Sequence, residues 1–555
     1  MISNFEISDA LSLLSKLMDI HGENSFKSKA LSSAAFTIEK YYKPLSQLSA
    51  DEISKIKGVG ISTSQKIIEL LSTGKINDYE KLFDVTPQGI LEMMLIKGLG
   101  PKKINSIWKD MQIENLGELL YACKENRLKS FKGFGEKTQL SLIQKIEFYQ
   151  NSKGRFLYAR TIKAEEYIRA NLIKFFGEDN VFVTGSFARQ LEIVDELEYI
   201  ISKEIEEIKA IDLFDFSLVK SVDNSCHFIT EAGLKIIIHS SSSKEKFFNT
   251  IIRSSSEEFL ELIDKENEKI RHGISEEDVF KKAGLPFIPP FLREDKEIIK
   301  KFSGNYNPIT ENDIKGIIHC HSNWSDGNNT IEELALACIE KGFEYLVISD
   351  HSKSAFYAHG LYEDKIRQQH ILINELNKRF YPFKIFKSIE SDILNDGSLD
   401  YSNEILSTFD LVIASVHSNL NMNEERATAR LLAAIENPYT TILGHLSGRL
   451  LLSRPGYQLN YDKIIDACIA NNVVIELNAH PNRLDIDWRY INLILEKGGL
   501  ISIDPDAHFI EGFDDIKYGS LVAQKGMVNK EQNLSSYSLN EFEEYLSKRK
   551  ILKSI

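Results

Sequence analysis

Six short apolar runs beyond residue 310 of this 555-residue chain each lead into histidine or carboxylate residues, and no other feature restricts the fold as tightly. The first is Gly316-Ile-Ile-His319-Cys-His321, followed five residues later by Asp326 beside Gly327. Its isoleucines predict a buried strand running out into a loop, and strand alternation places both imidazoles on one face and Cys320 on the other. The others are Tyr345-Leu-Val-Ile-Ser-Asp350-His351, Phe386-Lys-Ser-Ile-Glu390, Leu411-Val-Ile-Ala-Ser-Val-His417, Thr441-Ile-Leu-Gly-His445 and Gly499-Leu-Ile-Ser-Ile-Asp504-Pro-Asp506-Ala-His508. Strands that alternate with helical stretches and end in polar chemistry predict a β/α barrel with its site at the C-terminal ends of the strands. Nine of the 13 histidines lie in this part of the chain, so unrelated placement in core and loops is the weaker reading.

Nitrogen and oxygen ligands without thiolate suit manganese, zinc or iron, and the histidine content argues against magnesium or calcium alone. Adjacent ions of this kind lower the pKa of a shared water and clamp the attacking and leaving oxygens of a phosphoryl transfer, so phosphoester hydrolysis is the expected reaction. Asp350 is expected to orient a ligating imidazole, with a cap at the strand end as the competing reading. Arg449 and Arg454 are candidate phosphate binders, with solvated loop arginines as the competing reading. Together these motifs closely resemble the PHP (polymerase and histidinol phosphatase) family over about residues 310–555. The resemblance implies a distorted seven-stranded β/α barrel with three divalent ions, Mn2+ or Zn2+. It assigns His319, His321, Glu390 and Asp506 to one ion, Glu390, His417 and His445 to a second, and Asp326, His351 and His508 to the third.

A chain of this length predicts three to five structural units. No run approaches a membrane span and the N-terminus lacks a signal-peptide pattern. Five scattered cysteines without a Cys-x-x-Cys pair indicate a reducing compartment, so a cytoplasmic protein is expected. The formal charge of −14 speaks against nucleic acid at first sight, but its distribution does not. Residues 1–150 carry 20 Lys and Arg against 18 Asp and Glu, and residues 101–150 carry 9 against 6. The excess is enough for local phosphate contacts and too small for strong steering.

That basic region contains three similar elements: Ile56-Lys-Gly58-Val-Gly60, Ile96-Lys-Gly98-Leu-Gly100-Pro-Lys102, and Phe131-Lys-Gly133-Phe-Gly135. Glycines two apart permit a tight turn that points amides at a phosphate ahead of a following helix. One such pair is often only a helix cap; three with a shared pattern resemble helix-hairpin-helix motifs, which grip the DNA backbone without reading sequence. The helix after the first, with Lys66, resembles the small N-terminal domain of family X DNA polymerases. In lyase-active members the matching lysine forms a Schiff base with an abasic sugar. An ordinary surface lysine is the competing reading.

Residues 151–295 continue the family X resemblance and depart from it at the chemistry. Gly185, Ser186 and Arg189 match the palm motif Gly-Ser-x-Arg-Arg-Gly, while Ala188 and Gln190 do not. Glu196 and Glu198 stand where the family has two aspartates, and Ile237 stands at the third. Two Mg2+ ions on three aspartates position the primer oxygen and triphosphate in that family. A carboxylate moved by roughly 1 Å can lower a rate about a hundredfold, so nucleotidyl transfer is not expected. Ala283-Gly-Leu-Pro-Phe-Ile-Pro-Pro-Phe-Leu-Arg-Glu294 still resembles the end of the family X core.

The expected architecture is therefore an all-α helix-hairpin-helix region (a lyase-like domain over 1–76 and a fingers-like region over 77–150), then an α+β nucleotidyltransferase-like palm (151–240) and thumb (241–295). A linker (296–312) leads into the PHP domain (313–555). The expected function is metal-dependent phosphoester hydrolysis in DNA repair: a 3′–5′ exonuclease, with abasic-site endonuclease or 3′-phosphatase activity as variants. Gapped, nicked or abasic DNA is the expected partner of a monomer without a membrane. The alternatives are a gap-filling polymerase using palm Mg2+, a histidinol-phosphatase-like enzyme, and a non-catalytic DNA-binding scaffold.

Overall fold

A computed structural model describes the chain except residues 1, 125–127, 129–130, 132, 153, 211–215, 231–232, 303–305 and 453–454. It divides into two compact units, Met1–Lys153 and Gly154–Ile555.

The first unit is helical. Asn4–His21 starts from a Ser3–Glu6 capping box and ends at Gly22, whose φ of 73° lets the chain reverse into Ser25–Glu39. Ile7, Leu11, Leu14, Leu31, Ile38, Ile53 and Ile67 form one core, and Ile90, Ile104, Leu119, Phe134 and Ile146 belong to another. At each glycine pair the first glycine takes a left-handed backbone: Gly58 at φ 94°, Gly98 at 84° and Gly133 at 92°. An L side chain resists that conformation, so the turn needs glycine. The second glycine opens the next helix: Gly60 before Ile61–Thr73, Gly100 before Pro101–Asn105, Gly135 before Glu136–Ser152.

The second unit begins with a mixed five-stranded sheet. Its spatial order is Val181–Thr184, Glu196–Ile201, Lys235–Ser240, Ser225–Thr230, Phe216–Val222. Only the pairing of Glu196–Ile201 with Lys235–Ser240 is parallel. A helical segment follows, and Arg293 is buried at its end, donating to Glu276, the Ser254 hydroxyl and the Ile288 carbonyl.

Beyond residue 315 all strands are parallel. Tyr345–Ile348 lies between Gly316–Cys320 and Lys384–Lys387. Glu390–Asp392, Val412–Ser415, Thr440–Leu443, Val474–Asn478 and Ile501–Asp504 form a second sheet in chain order. Two residues separate Lys384–Lys387 from Glu390–Asp392, so the run anticipated through Phe386 to Glu390 is one path broken at its centre. At the opposite margin Ala507 bridges Cys320, with His321 N donating to Ala507 O at 2.8 Å. Val474–Asn478, which carries Glu476 and leads into His480, falls outside the six runs recognised in the sequence. Ile331, Leu334, Ile373, Leu431 and Ile464 seal helices against the outside of the strands. Ile318, Val347, Phe386, Ile413, Ile442 and Val474 form a further core with Phe542 and Leu546 of helix Leu539–Lys553. Among the described residues, no helix is long and apolar enough to cross a membrane.

Candidate metal centre

The ends of these strands bring the nine anticipated ligands together. His321, Asp326, His351 and His508 form one group, His319, His321 and Asp506 a second, and His351, Glu390 and His417 a third, each with its ligand atoms within 4.8 Å of one another. The grouping differs from the one implied by resemblance: His321 serves two groups, and His351 sits beside both Asp326 and Glu390. His445 completes the cluster through its Nε2, 2.9 Å from Glu390 Oε1.

Glu390 is the hub. Its carboxylate meets five imidazoles: His319 Nε2 at 3.3 Å, His417 Nε2 at 3.2 Å and His445 Nε2 at 2.9 Å through Oε1, and His351 Nδ1 at 3.0 Å and His321 Nε2 at 3.6 Å through Oε2. Backbone geometry aims these groups. The register of the first strand slips between Ile317 and Cys320, and His319 takes φ 60°, so a bulge rather than simple alternation turns its ring inward. His445 at φ 21° and Asp506 at 53° share this left-handed backbone, which is common where function fixes a conformation.

Burial pushes the Glu390 carboxyl up, but His417, His319 and His351 outweigh it and hold the group well below the usual carboxylate range. Asp326 and Asp506 are likewise held low by neighbouring imidazoles in spite of burial. Burial beside His508 and His351 drives His321 down to about 3. Burial opposes the charge on His417, yet Glu390 and Asp392 lift it to about 10.

Several of these polar atoms have no ordinary partner. His319 Nε2, His321 Nδ1, His445 Nδ1 and Glu390 Oε2 are buried without a hydrogen bond among the described residues. Buried polar atoms are nearly always hydrogen-bonded, so orphaned nitrogens and oxygens on residues that gather around Glu390 fit divalent cations.

Supporting residues carry less signal in the sequence. Glu476, on the unrecognised strand, holds His319 Nδ1 and accepts from His445 N at 2.6 Å. Asp392 holds His417 Nδ1 at 2.6 Å, and Asn478 donates to Asp506 at 3.1 Å. Arg483 places Nε 3.5 Å from Asp506 Oδ2, with His480 on the same loop. A charged residue within the apolar run at 473–477, followed by His480, is the signal that could have revealed Glu476.

Other anticipated residues have different surroundings. Asp350 touches no imidazole: it accepts from Ser322 N at 2.8 Å, the Ser322 and Ser325 hydroxyls at 2.7 and 2.5 Å, and Gln369 at 2.6 Å. It therefore fixes the loop that carries Asp326. Arg449 faces away from the cluster, bonding Asp487 at 2.6 Å, Arg483 O at 2.9 Å and Glu192 of the mixed sheet region at 3.3 Å. Those carboxylates raise its pKa against burial and occupy the charge that a phosphate would need. Arg454 lies outside the described residues. Lys66 is ion-paired with Asp78.

In the mixed sheet Glu198 lies directly beside Ile237, the residue that the resemblance sets at the third position. Glu198 instead meets His239 at 3.3 Å and Arg253 at 3.9 Å. Burial and the neighbouring Glu198 raise the pKa of Glu196. Gly185, at φ 69° and opening the helix that holds Ser186, packs so closely on Glu198 that a Cβ would lie 2.3 Å from its Oε1. Arg189 pairs with Glu294 at 3.2 Å. At the three hairpins, Gly60, Gly100, Gly133 and Gly135 border open space, and Lys102 is exposed.

Comparison with known proteins agrees with these parts. A helix-hairpin-helix domain matches residues 2–76, a SAM-like helix-hairpin-helix tandem residues 90–147, and the PHP domain residues 318–480. A probable phosphatase of Thermoanaerobacter sp. strain X514 is 30% identical over 27% of this chain and 58% of its own length. A probable phosphatase of Caldicellulosiruptor saccharolyticus is 25% identical, over 34% of this chain and 79% of its own. DNA polymerase/3′-5′ exonuclease PolX of Bacillus subtilis is 32% identical over 97% of this chain and 98% of its own. Similarity of that extent, joined to tandem hairpins and a metal-type cluster in one chain, places the protein in the bacterial family X DNA polymerase family whose members carry a C-terminal PHP domain.

Proposed function

We propose that this chain is a DNA 3′–5′ exonuclease whose hydrolytic site is the cluster around Glu390, carried by a polymerase-like region without nucleotidyl-transfer activity. The observation that carries this reading is the convergence of five imidazoles on one buried carboxylate, beside two further acids. On this reading the parallel strands form a closed seven-stranded barrel, and the mixed sheet and following helices are a palm and thumb.

The three groups would hold up to three ions, Mn2+ or Zn2+, through His319, His321, Asp326, His351, Glu390, His417, His445, Asp506 and His508. Such ions supply Lewis acidity, which makes water nucleophilic at neutral pH and neutralises charge on a transferring phosphoryl group. The chain's own residues prepare the site. Glu476 keeps the Nδ1 proton of His319 and leaves Nε2 turned inward, and Asp392 does the same for His417. Asp350 and its serine partners fix the Asp326 loop. Arg483, beside Asp506, would meet a substrate phosphate in place of Arg449. The glycine hairpins would hold the DNA backbone.

The name of the Bacillus subtilis relative includes polymerase activity, and a gap-filling enzyme is the second reading that it supports. Ile237 at the third acidic position, and the pairing of Glu198 and Arg189 with residues of this chain, argue against carrying that activity over. A labelled one-nucleotide-gapped duplex with Mn2+, with and without four dNTPs, tests both. Shortening by wild type that falls at least a thousandfold in Glu390→Gln, without primer extension, is expected. Extension lost in Glu198→Ala would overturn the inactive-palm reading, and shortening retained in Glu390→Gln would overturn the assigned site.

A further inference from the structure

The loop that leaves the C-terminal end of strand Val474–Asn478 is held from two sides. Toward the cluster it presents Arg483, whose Nε lies 3.5 Å from Oδ2 of Asp506, one of the grouped ligand-type carboxylates. Toward the mixed sheet region its Pro481 and Leu484 line one cavity with Tyr158 and Gln190. That cavity measures about 10 Å³, room for about one water, so the loop has almost no space to move on this side.

Arg449 fastens this loop. Its Nε donates to Arg483 O at 2.9 Å, one Nη donates to Leu484 O, and the other reaches Asp487 at 2.6 Å. Ser447, two residues before it, donates to Asp485 through its N and its hydroxyl at 3.0 and 2.9 Å. The Nη that bonds Leu484 O also bonds Glu192 at 3.3 Å. Glu192 is buried, and its backbone is fixed: its carbonyl accepts from Tyr158 N at 3.0 Å, and Leu191 N donates to Ser186 O at 3.1 Å. Among the described residues, Glu192 is the carboxylate of the mixed sheet region that meets this guanidinium. Charge-assisted bonds between buried partners are directional and strong, so the position of Glu192 weighs on where Arg449 holds the two carbonyls.

We propose that Glu192 is a positioning residue for the metal cluster: through Arg449 it sets the loop that aims Arg483 at Asp506, so the mixed sheet region controls how tightly the cluster holds its ions. The proposal rests on the reading of the cluster as a metal-dependent nuclease centre and adds its regulation. Without the charge of Glu192 the guanidinium turns toward Asp487, the carbonyls of Arg483 and Leu484 follow it, and Arg483 is no longer held against Asp506. Such coupling is reciprocal: a shift of residues 185–192 alters ion affinity, and ion binding biases that segment by the same free energy.

The test is calorimetric titration of the full chain with Mn2+ in the absence of DNA. Glu192→Gln, which keeps the shape and removes the charge, should weaken Mn2+ binding about fivefold. Glu294→Gln is the control: Glu294 ties Arg189 and Lys525 where the mixed sheet region meets the metal region, and none of its ion pairs reaches the loop. It should lower urea stability and leave Mn2+ affinity within about twofold of wild type. Glu192 and Arg483 are joined only through Arg449 and the loop, so in an Arg483→Ala background Glu192→Gln should change the affinity less than about twofold. Unchanged affinity in Glu192→Gln would overturn the proposal. So would an equal loss in Glu294→Gln, which would make the contact merely structural, or a loss that persists in full without Arg483. Wild type that binds Mn2+ but leaves DNA intact would sink the nuclease reading alone, and the affinities would still decide the coupling.

Discussion

Glu390 and Glu476 divide the work at the centre of the site. Glu390 faces the converging imidazoles, whereas Glu476 stands behind His319 and fixes which nitrogen that ring presents. Glu476→Gln should therefore weaken ion binding about 10- to 100-fold while leaving kcat near wild type at saturating Mn2+. Manganese titration of hydrolysis, with bound metal measured in parallel, checks this; unchanged affinity would mean that His319 needs no carboxylate behind it. The same division explains what the sequence disclosed. Ligands at strand ends announce themselves as histidines after apolar runs, whereas a carboxylate that orients a ligand looks like any acid in a strand. Hence nine ligand-type residues were legible, Glu476 and Asp392 were not, and Asp350 was given an imidazole partner when its partners are serines and Gln369. Arg449 was legible as an arginine near the site but not as one facing away from it, because a loop's direction depends on contacts with Asp487 and Glu192, distant in sequence from the motif.

Short elements were read best where backbone chemistry leaves little choice. The glycine pairs stand out because Gly98 and Gly133 adopt φ values that other residues resist. Replacing both by valine should strain each turn by on the order of 1–3 kcal/mol and displace the amides that follow. DNA affinity should fall at least tenfold, and its salt dependence should flatten as phosphate contacts are lost. Fluorescence anisotropy over a salt series measures both, and an unchanged salt slope would mean that the hairpins do not hold the backbone. Strands were harder to bound. The bulge at His319 and the break between Lys387 and Glu390 arise from packing around the cluster, which hydrophobic periodicity does not encode. Strand Val474–Asn478 contains Glu476 and Asn478 fully buried, a pattern that makes sense only once the polar centre beside it is known.

In the second unit the mixed sheet region and the metal region are joined by buried charge. Lys525 donates to Arg189 O at 2.8 Å and Phe291 O at 3.1 Å and pairs with Glu294, which also holds Arg189. Burial lowers its pKa from 10.5 to about 8, with Glu294 opposing. Below pH 8 folded and unfolded chains both carry the proton, and the folded state bears the full desolvation penalty. Between about pH 8 and 10.5 the unfolded chain binds more protons, so stability rises with pH, by up to about 3 kcal/mol from this group. The difference in urea stability between wild type and Lys525→Met should change across that window and be flat below it. A constant difference would mean that Lys525 titrates normally. None of this joint was legible in advance, because Lys525 sits on a helix remote from every motif.

The hub geometry at Glu390 also bears on how such a chain can change over generations. A residue that answers to five partners leaves no neutral first step, since any replacement disturbs all of them at once and no single second change repairs the damage. The acids of the mixed sheet, Glu196 and Glu198, share one strand and meet fewer partners, and an isoleucine at 237 on the neighbouring strand packs there without disturbing the pairing. The two centres of one polypeptide thus differ in mutational freedom: one can be dismantled residue by residue while its scaffold persists, and the other survives whole or is lost whole.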